Sequence, residues 1–204
     1  MRIFIGIDLD DNIRGKLARF LEGVSGFAPE ARWVRPESLH ITLKFIGEQK
    51  QEQVEAITQR LRLVESDPFE VHISGYGFFP TAKSPRVFWI GIQAGPQLAQ
   101  LASDIDAAVA QLGIPREERR FSPHLTLARA GGRSGRSSGD PKWRAGDAPN
   151  SIFAVLQKRL AAMGEPEFGR MAADKFILYQ SQLSPAGSKY TKLERFPMRA
   201  GESR

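Results

Sequence analysis

The chain has 204 residues, 41% of them hydrophobic, with 29 Lys and Arg against 23 Asp and Glu and no cysteine. This apolar content supports a real core and excludes wholesale disorder or a fibrous repeat. The lack of thiols excludes a disulfide framework, thiol catalysis and every zinc site built on thiolates, and it points to a reducing, cytoplasmic setting. The formal charge of +6 favours polyanions such as RNA as partners. No apolar run reaches the length of a membrane span, and the first residues lack the apolar stretch of a signal peptide.

In chain order, Arg2 to Leu9 alternates with Ile3, Ile5 and Ile7 on one side, which predicts a strand. Asp10-Asp11 then caps a helix carrying Ile13, Leu17, Phe20, Leu21 and Val24. After Trp33-Val34 and a turn at Pro36-Glu37-Ser38, His40 to Ile46 reads as a strand ending at Gly47. Val54, Ile57 and Leu61 mark a second helix, Phe69, Val71 and Ile73 a strand, and Val87 to Ile92 another.

Leu98, Leu101, Ile105, Val109 and Leu112 recur at helical spacing up to Gly113. A basic stretch from Arg116 to Arg120 leads into a strand over Phe121 to Leu127. Residues 131–150 hold five Gly and three Ser with almost no apolar content, the composition of a flexible surface loop. Ser151 is the expected cap of a helix carrying Ile152, Val155, Leu156 and Leu160. Phe176 to Tyr179, a turn at 184–187 and Tyr190 to Phe196 form a terminal hairpin, and residues 199–204 read as a frayed tail.

Two of the three histidines open the same pattern, His40-Ile41-Thr42-Leu43 and His124-Leu125-Thr126-Leu127. With only five Thr in the chain, finding one two places after two of three histidines by chance is on the order of one in five hundred. In a strand, residues i and i+2 share a face, so His40 projects with Thr42 and His124 with Thr126, while the apolar positions face inward. Two imidazoles and two hydroxyls meeting across a cleft suit phosphoryl chemistry. An imidazole titrates near neutrality and serves as general base or acid, and hydroxyls donate to phosphoryl oxygens. Arg129, just past the second motif, is placed to brace developing charge. His72 shares a face with Glu70 and Ser74 and reads as a solvated or structural histidine. No third ligand at recognisable spacing accompanies the motif histidines, so neither a metal nor a cofactor is expected.

These paired motifs resemble those of the two-histidine phosphoesterase superfamily, in its bacterial and archaeal RNA 2',3'-cyclic phosphodiesterase branch, also named the 2'-5' RNA ligase family. The resemblance extends through Arg2-Ile3-Phe4-Ile5, Trp33-Val34, Phe45-Ile46-Gly47, Ser122-Pro123, Arg129 and Ser181-Gln182-Leu183. It departs at Gly131 to Asn150, which is longer than the family's usual loop. The resemblance implies a single bilobal α+β domain over 1–204, in which two antiparallel sheets related by a pseudo-twofold face each other across a central cleft with helices outside. It also implies metal-independent opening of a 2',3'-cyclic phosphate at an RNA or nucleotide end. In that reading His124 is the base on water, His40 the acid on the 3' oxygen, and Thr42, Thr126 and Arg129 bind the phosphate.

Two other readings start from the same residues. The site could run in reverse to join ends through a 2'-5' linkage, or open another cyclic phosphodiester. A reading of a different class is a non-catalytic module that holds RNA ends by charge, with Trp33 and Phe45 stacking on bases.

Overall fold

The computed structural model describes residues 1–131, 151–184 and 187–199. The glycine-rich stretch expected as a flexible loop lies outside the described residues from 132 onward, as do the tip of the terminal turn and the tail from 200.

Strand β1 (Arg2–Asp8) sends Ile3, Ile5 and Ile7 into the core, each no more than 1% exposed, and turns Phe4, Gly6 and Asp8 to the opposite face. Helix α1 (Asp11–Val24) begins where the Asp10 carboxylate accepts from the Ile13 amide at 2.7 Å, and it buries Ile13, Leu17, Leu21 and Val24. Each such fully buried aliphatic side chain stabilises the fold by about 1.5–3 kcal/mol. A short strand β2 (Arg32–Trp33) and a 3-10 turn at Pro36–Ser38 lead into β3 (His40–Glu48), followed by α2 (Gln51–Leu61).

Strands β4 (Phe69–Thr81) and β5 (Ser84–Ala94) form a hairpin that extends well beyond the predicted apolar runs. The extension follows from a bulge at Ser74-Gly75, where Gly75 takes φ +68° and the amphipathic pattern resumes out of step. Helix α3 (Pro96–Ala110) then precedes β6 (His124–Arg129). The second motif strand therefore begins at its histidine, after an irregular approach through Phe121-Ser122-Pro123.

Helix α4 (Ala154–Met163) corrects a sequence expectation. It starts from Phe153 with no side-chain cap, after a 3-10 turn over Ser151–Phe153, and Val155 is 56% exposed where the helical spacing predicts a buried position. Phe153 is the fully buried anchor of this segment. Strand β7 (Glu167–Ala173) has no counterpart among the predicted elements, and β8 (Lys175–Ser184) pairs with β9 (Gly187–Pro197) as the expected terminal hairpin.

Among the described residues the strands form two antiparallel sheets in the orders β3-β1-β8-β9 and β2-β6-β5-β4-β7, with four helices packed against them. The α+β class is thus as the sequence implied. Strand β3, which carries the first His-x-Thr motif, contacts β6, which carries the second. Most buried side chains form one core, but Phe4, Ile177 and Tyr179 make a separate cluster with Tyr190 packed on it, on the opposite face of the first sheet.

Candidate active site

Both motif strands carry a bulge at the same point. Along β3, Thr42 pairs with Gly6 and Lys44 with Ile5, so Leu43 is the extra residue. Along β6, Thr126 pairs with Trp89 and Ala128 with Phe88, so Leu127 is the extra residue. A bulge reverses the alternation beyond it. Leu43 and Lys44 therefore both turn inward, as do Leu127 and Ala128, and Phe45 and Arg129 return to the face that carries the motif histidine and threonine. Strict alternation would have sent Arg129 to the core.

The two imidazoles are held identically. Nδ1 of His40 lies 2.8 Å from the Ser38 carbonyl, and Nδ1 of His124 lies 2.8 Å from the Ser122 carbonyl, each two residues upstream. A carbonyl only accepts, so Nδ1 carries the proton and donates, and Nε2 is the nitrogen left for chemistry. Burial pushes His40 down to about 4, overriding the Ser38 carbonyl and the Asp8 carboxylate, which favour the charged ring; Arg129 and Arg14 add to the depression. Burial also lowers His124, with the Ser122 carbonyl opposing and Arg129 assisting. Arg129 thus lies within electrostatic reach of both rings, and both are held below the ordinary imidazole value.

The surroundings of the rings differ. Asp8 lies directly opposite His40 in the β1–β3 register. Its carboxylate accepts from Arg14 Nη2, from the Leu9 amide at 3.1 Å and from Lys192. Arg14 also donates to the carbonyls of Pro36 at 2.6 Å and Leu39 at 3.3 Å, tying α1 to the turn that presents the Ser38 carbonyl. Among the described residues, no carboxylate acts on His124. Gly6, paired with Thr42, leaves space that a side chain would deny: a Cβ there would meet the Ile41 carbonyl oxygen at 2.7 Å and His40 Cδ2 at 3.4 Å.

Aromatic rings pack against both imidazoles. His40 packs against Phe4 at 4.6 Å, Tyr190 at 5.1 Å and Tyr179 at 5.8 Å between ring centroids. His124 packs edge-on against Phe79 at 5.0 Å, with Trp89 at 6.3 Å. Gly77 allows Trp89 to lie flat on its own sheet, since a Cβ at that position would fall 2.1 Å from the indole. The sequence reading missed Phe4, Tyr179, Tyr190, Phe79 and Trp89. Their signal was the second face of strands read only for their core face.

Trp33 and Phe45 part company. Trp33 donates from its indole to the Ala28 carbonyl at 2.9 Å and packs edge-on against buried Phe88, so it is half-buried against the core. Phe45 is 60% exposed beside Phe4. His72 lies apart, bonded to Glu167 at 2.7 Å. Among the described residues, no group of three or more His, Asp or Glu could hold a metal ion.

A buried ion pair links the first motif strand to the approach of the second. Lys44 Nζ donates to Asp106 Oδ1 at 2.5 Å and to the Pro115 carbonyl at 2.8 Å, and Asp106 accepts the Glu117 amide at 3.1 Å and Arg116 Nε at 3.2 Å. Burial raises the Asp106 carboxyl, but these donors outweigh it and hold it below the usual range.

A family model described as LigT like Phosphoesterase matches residues 7–89 and again 90–140, so each match contains one motif. The chain is 34% identical over 196 residues to an RNA 2',3'-cyclic phosphodiesterase of Archaeoglobus fulgidus, covering 96% of this chain and 99% of that one. Among solved structures, TT0787 of Thermus thermophilus matches at a TM-score of 0.75 and 27% identity, covering 99% of this chain and 100% of that one. E. coli LigT complexed with 3'-AMP matches at 0.74 and 26%, covering 98% of each.

Proposed function

The chain belongs to the LigT-like phosphoesterase family, and from that membership we propose that it hydrolyses 2',3'-cyclic phosphate ends of RNA or nucleotides to 2'-phosphates, over one bilobal domain and in the cytoplasm. The reading is carried by the matched pair of imidazoles, each fixed at Nδ1 by a backbone carbonyl 2.8 Å away and each left with Nε2 to give or take a proton.

Water attacks phosphorus in line with the P–O3' bond. His124 Nε2 takes the proton of the attacking water, the P–O3' bond breaks, and protonated His40 delivers its proton to the departing 3' oxygen. The assignment of roles rests on one contrast: Asp8 lies opposite His40 in the β1–β3 register and favours its charged form, against the burial that lowers it in the free protein, whereas among the described residues no carboxylate acts on His124. The anionic phosphate, on arriving, raises both rings, and the one already supported by a carboxylate takes the proton. Thr42, Thr126 and Arg129 stabilise charge on the nonbridging oxygens. The strained five-membered ring leaves the protein mainly the tasks of positioning and proton transfer.

The deciding experiment incubates the protein with a cyclic-phosphate mononucleotide and an oligonucleotide carrying the same end, with and without chelator, and follows new phosphomonoester. Turnover is expected in both conditions, and His40→Ala or His124→Ala should each lower it by about a hundredfold or more. Binding without turnover would replace the enzyme with an end-binding module.

A further inference from the structure

Arg32 and Arg129 are direct partners in the β2–β6 register, so their side chains share one face of the second sheet. The next pair, Trp33 with Ala128, points into the core, where Ala128 is fully buried and Trp33 packs on Phe88. By alternation, Arg32 lies with Arg129 on the cleft face. Like charges directly opposite each other destabilise a sheet. Arg32 is exposed, it acts electrostatically on Arg129, and among the described residues no carboxylate is paired with either. Two arginines in direct register on one face, with no carboxylate paired to either among the described residues, suit an anion.

Position decides which anion. Strand β6 rises about 3.3 Å per residue, which sets the backbone of the Arg32–Arg129 pair on the order of 15 Å from that of His124. Arg129 acts electrostatically on both histidines. Arg32 belongs to β2, the outer strand of the sheet, beyond β6 from the rest of that sheet. The matching location in the first sheet carries no such charge: Phe45, the counterpart of Arg129, is apolar, and β3 is itself an outer strand.

We propose that Arg32 forms a second phosphate subsite, which takes the internucleotide phosphate next to the cyclic end of an RNA chain and directs that chain outward over β2. This deepens the function proposed above and rests on it: the same site acts preferentially on chain ends over free cyclic nucleotides.

The test compares kcat/KM for a cyclic-phosphate oligonucleotide with that for the corresponding 2',3'-cyclic mononucleotide. In Arg32→Gln the oligonucleotide-to-mononucleotide ratio should fall about tenfold, the worth of one charged hydrogen bond. The salt dependence of oligonucleotide binding, measured with the slow His40→Ala protein and with His40→Ala/Arg32→Gln, should lose about 0.7 from its log–log slope. Arg32→Lys, which keeps the charge, should restore most of that slope. An unchanged ratio and slope, or equal losses on both substrates, would overturn the subsite while leaving the hydrolase intact. A wild-type protein that turns over neither substrate would overturn the hydrolase itself, and with it this preference.

Discussion

Arg129 and Phe45 are structural counterparts: each lies five residues beyond its motif histidine, and each is returned to the cleft face by a bulge at the same point of its strand. The two sheets thus carry one backbone device with different chemistry on it, a cation on one side and an exposed ring on the other. Arg129→Gln should lower kcat/KM for a cyclic phosphate by about a hundredfold through lost charge stabilisation. Lysine should recover only part of it, because a point charge does not replace a planar fork. Phe45→Ala should leave thermal stability nearly unchanged, since the ring is 60% exposed. Steady-state kinetics and a melting curve on each variant check both statements.

The depressed imidazoles predict a pH response that depends on ligand. In free protein the His40 ring should titrate at about 4 by NMR, below its ordinary value. Bound phosphate or a nucleoside monophosphate should move that midpoint upward, because the anion replaces lost solvation. Stability carries the same sign. A group whose folded value lies below its unfolded value contributes stability at pH above about 6.5, and that contribution is lost as pH falls toward 4. Urea titrations at pH 7 and pH 5 should therefore show a smaller drop in His40→Gln than in wild type. An unshifted His40 resonance near 6.5 in free protein would contradict the burial argument.

Asp8 is the carboxylate that supports the charged form of His40, against Arg129 and Arg14. Asp8→Asn should move the basic limb of the kcat profile to lower pH, since the acid then loses its proton earlier, and should lower the plateau by about tenfold. The substitution also removes the acceptor shared by Arg14 and Lys192. A loss of activity with an unmoved pH limb would mean that Asp8 serves only to hold α1 against the Pro36–Ser38 turn.

How far the sequence reached depended on which face of each strand spoke. The alternation of Ile3, Ile5 and Ile7 marked β1 and its core side, and the paired His-x-Thr spacing marked both motif strands. The opposite face of β1 reads Phe4-Gly6-Asp8, and it proves to be the floor beside His40, but in isolation it has no periodic apolar signature to separate it from solvent. Strand β7 escaped because only Phe168, Met171 and Ala173 are buried and its stability comes from pairing with β4, a long-range fact. Arg129 is marked in the sequence by its chemistry and its place just past the second motif. Its orientation required the bulge at Leu127, which appears only when the pairing with β5 is known.

The pair Lys44–Asp106 is where fold and site meet. Lys44 follows Thr42 by two residues, yet the bulge turns it away from the cleft to a carboxylate on α3, and that carboxylate also holds the Glu117 amide on the way to His124. Asp106→Ala leaves a buried ammonium with only the Pro115 carbonyl and should cost about 3–5 kcal/mol in a denaturant titration. The double variant Lys44→Met/Asp106→Leu removes both charges and should recover most of that stability. Because the Asp106 carboxyl is held below its ordinary range, its contribution is present at pH above about 4 and is lost on acidification through the folded value. The double variant should therefore lose less stability than wild type below about pH 4. If the pair also sets the spacing of the two motif strands, the restored double variant should remain slower than wild type on a cyclic mononucleotide, whereas full recovery of turnover with stability would confine the pair to folding.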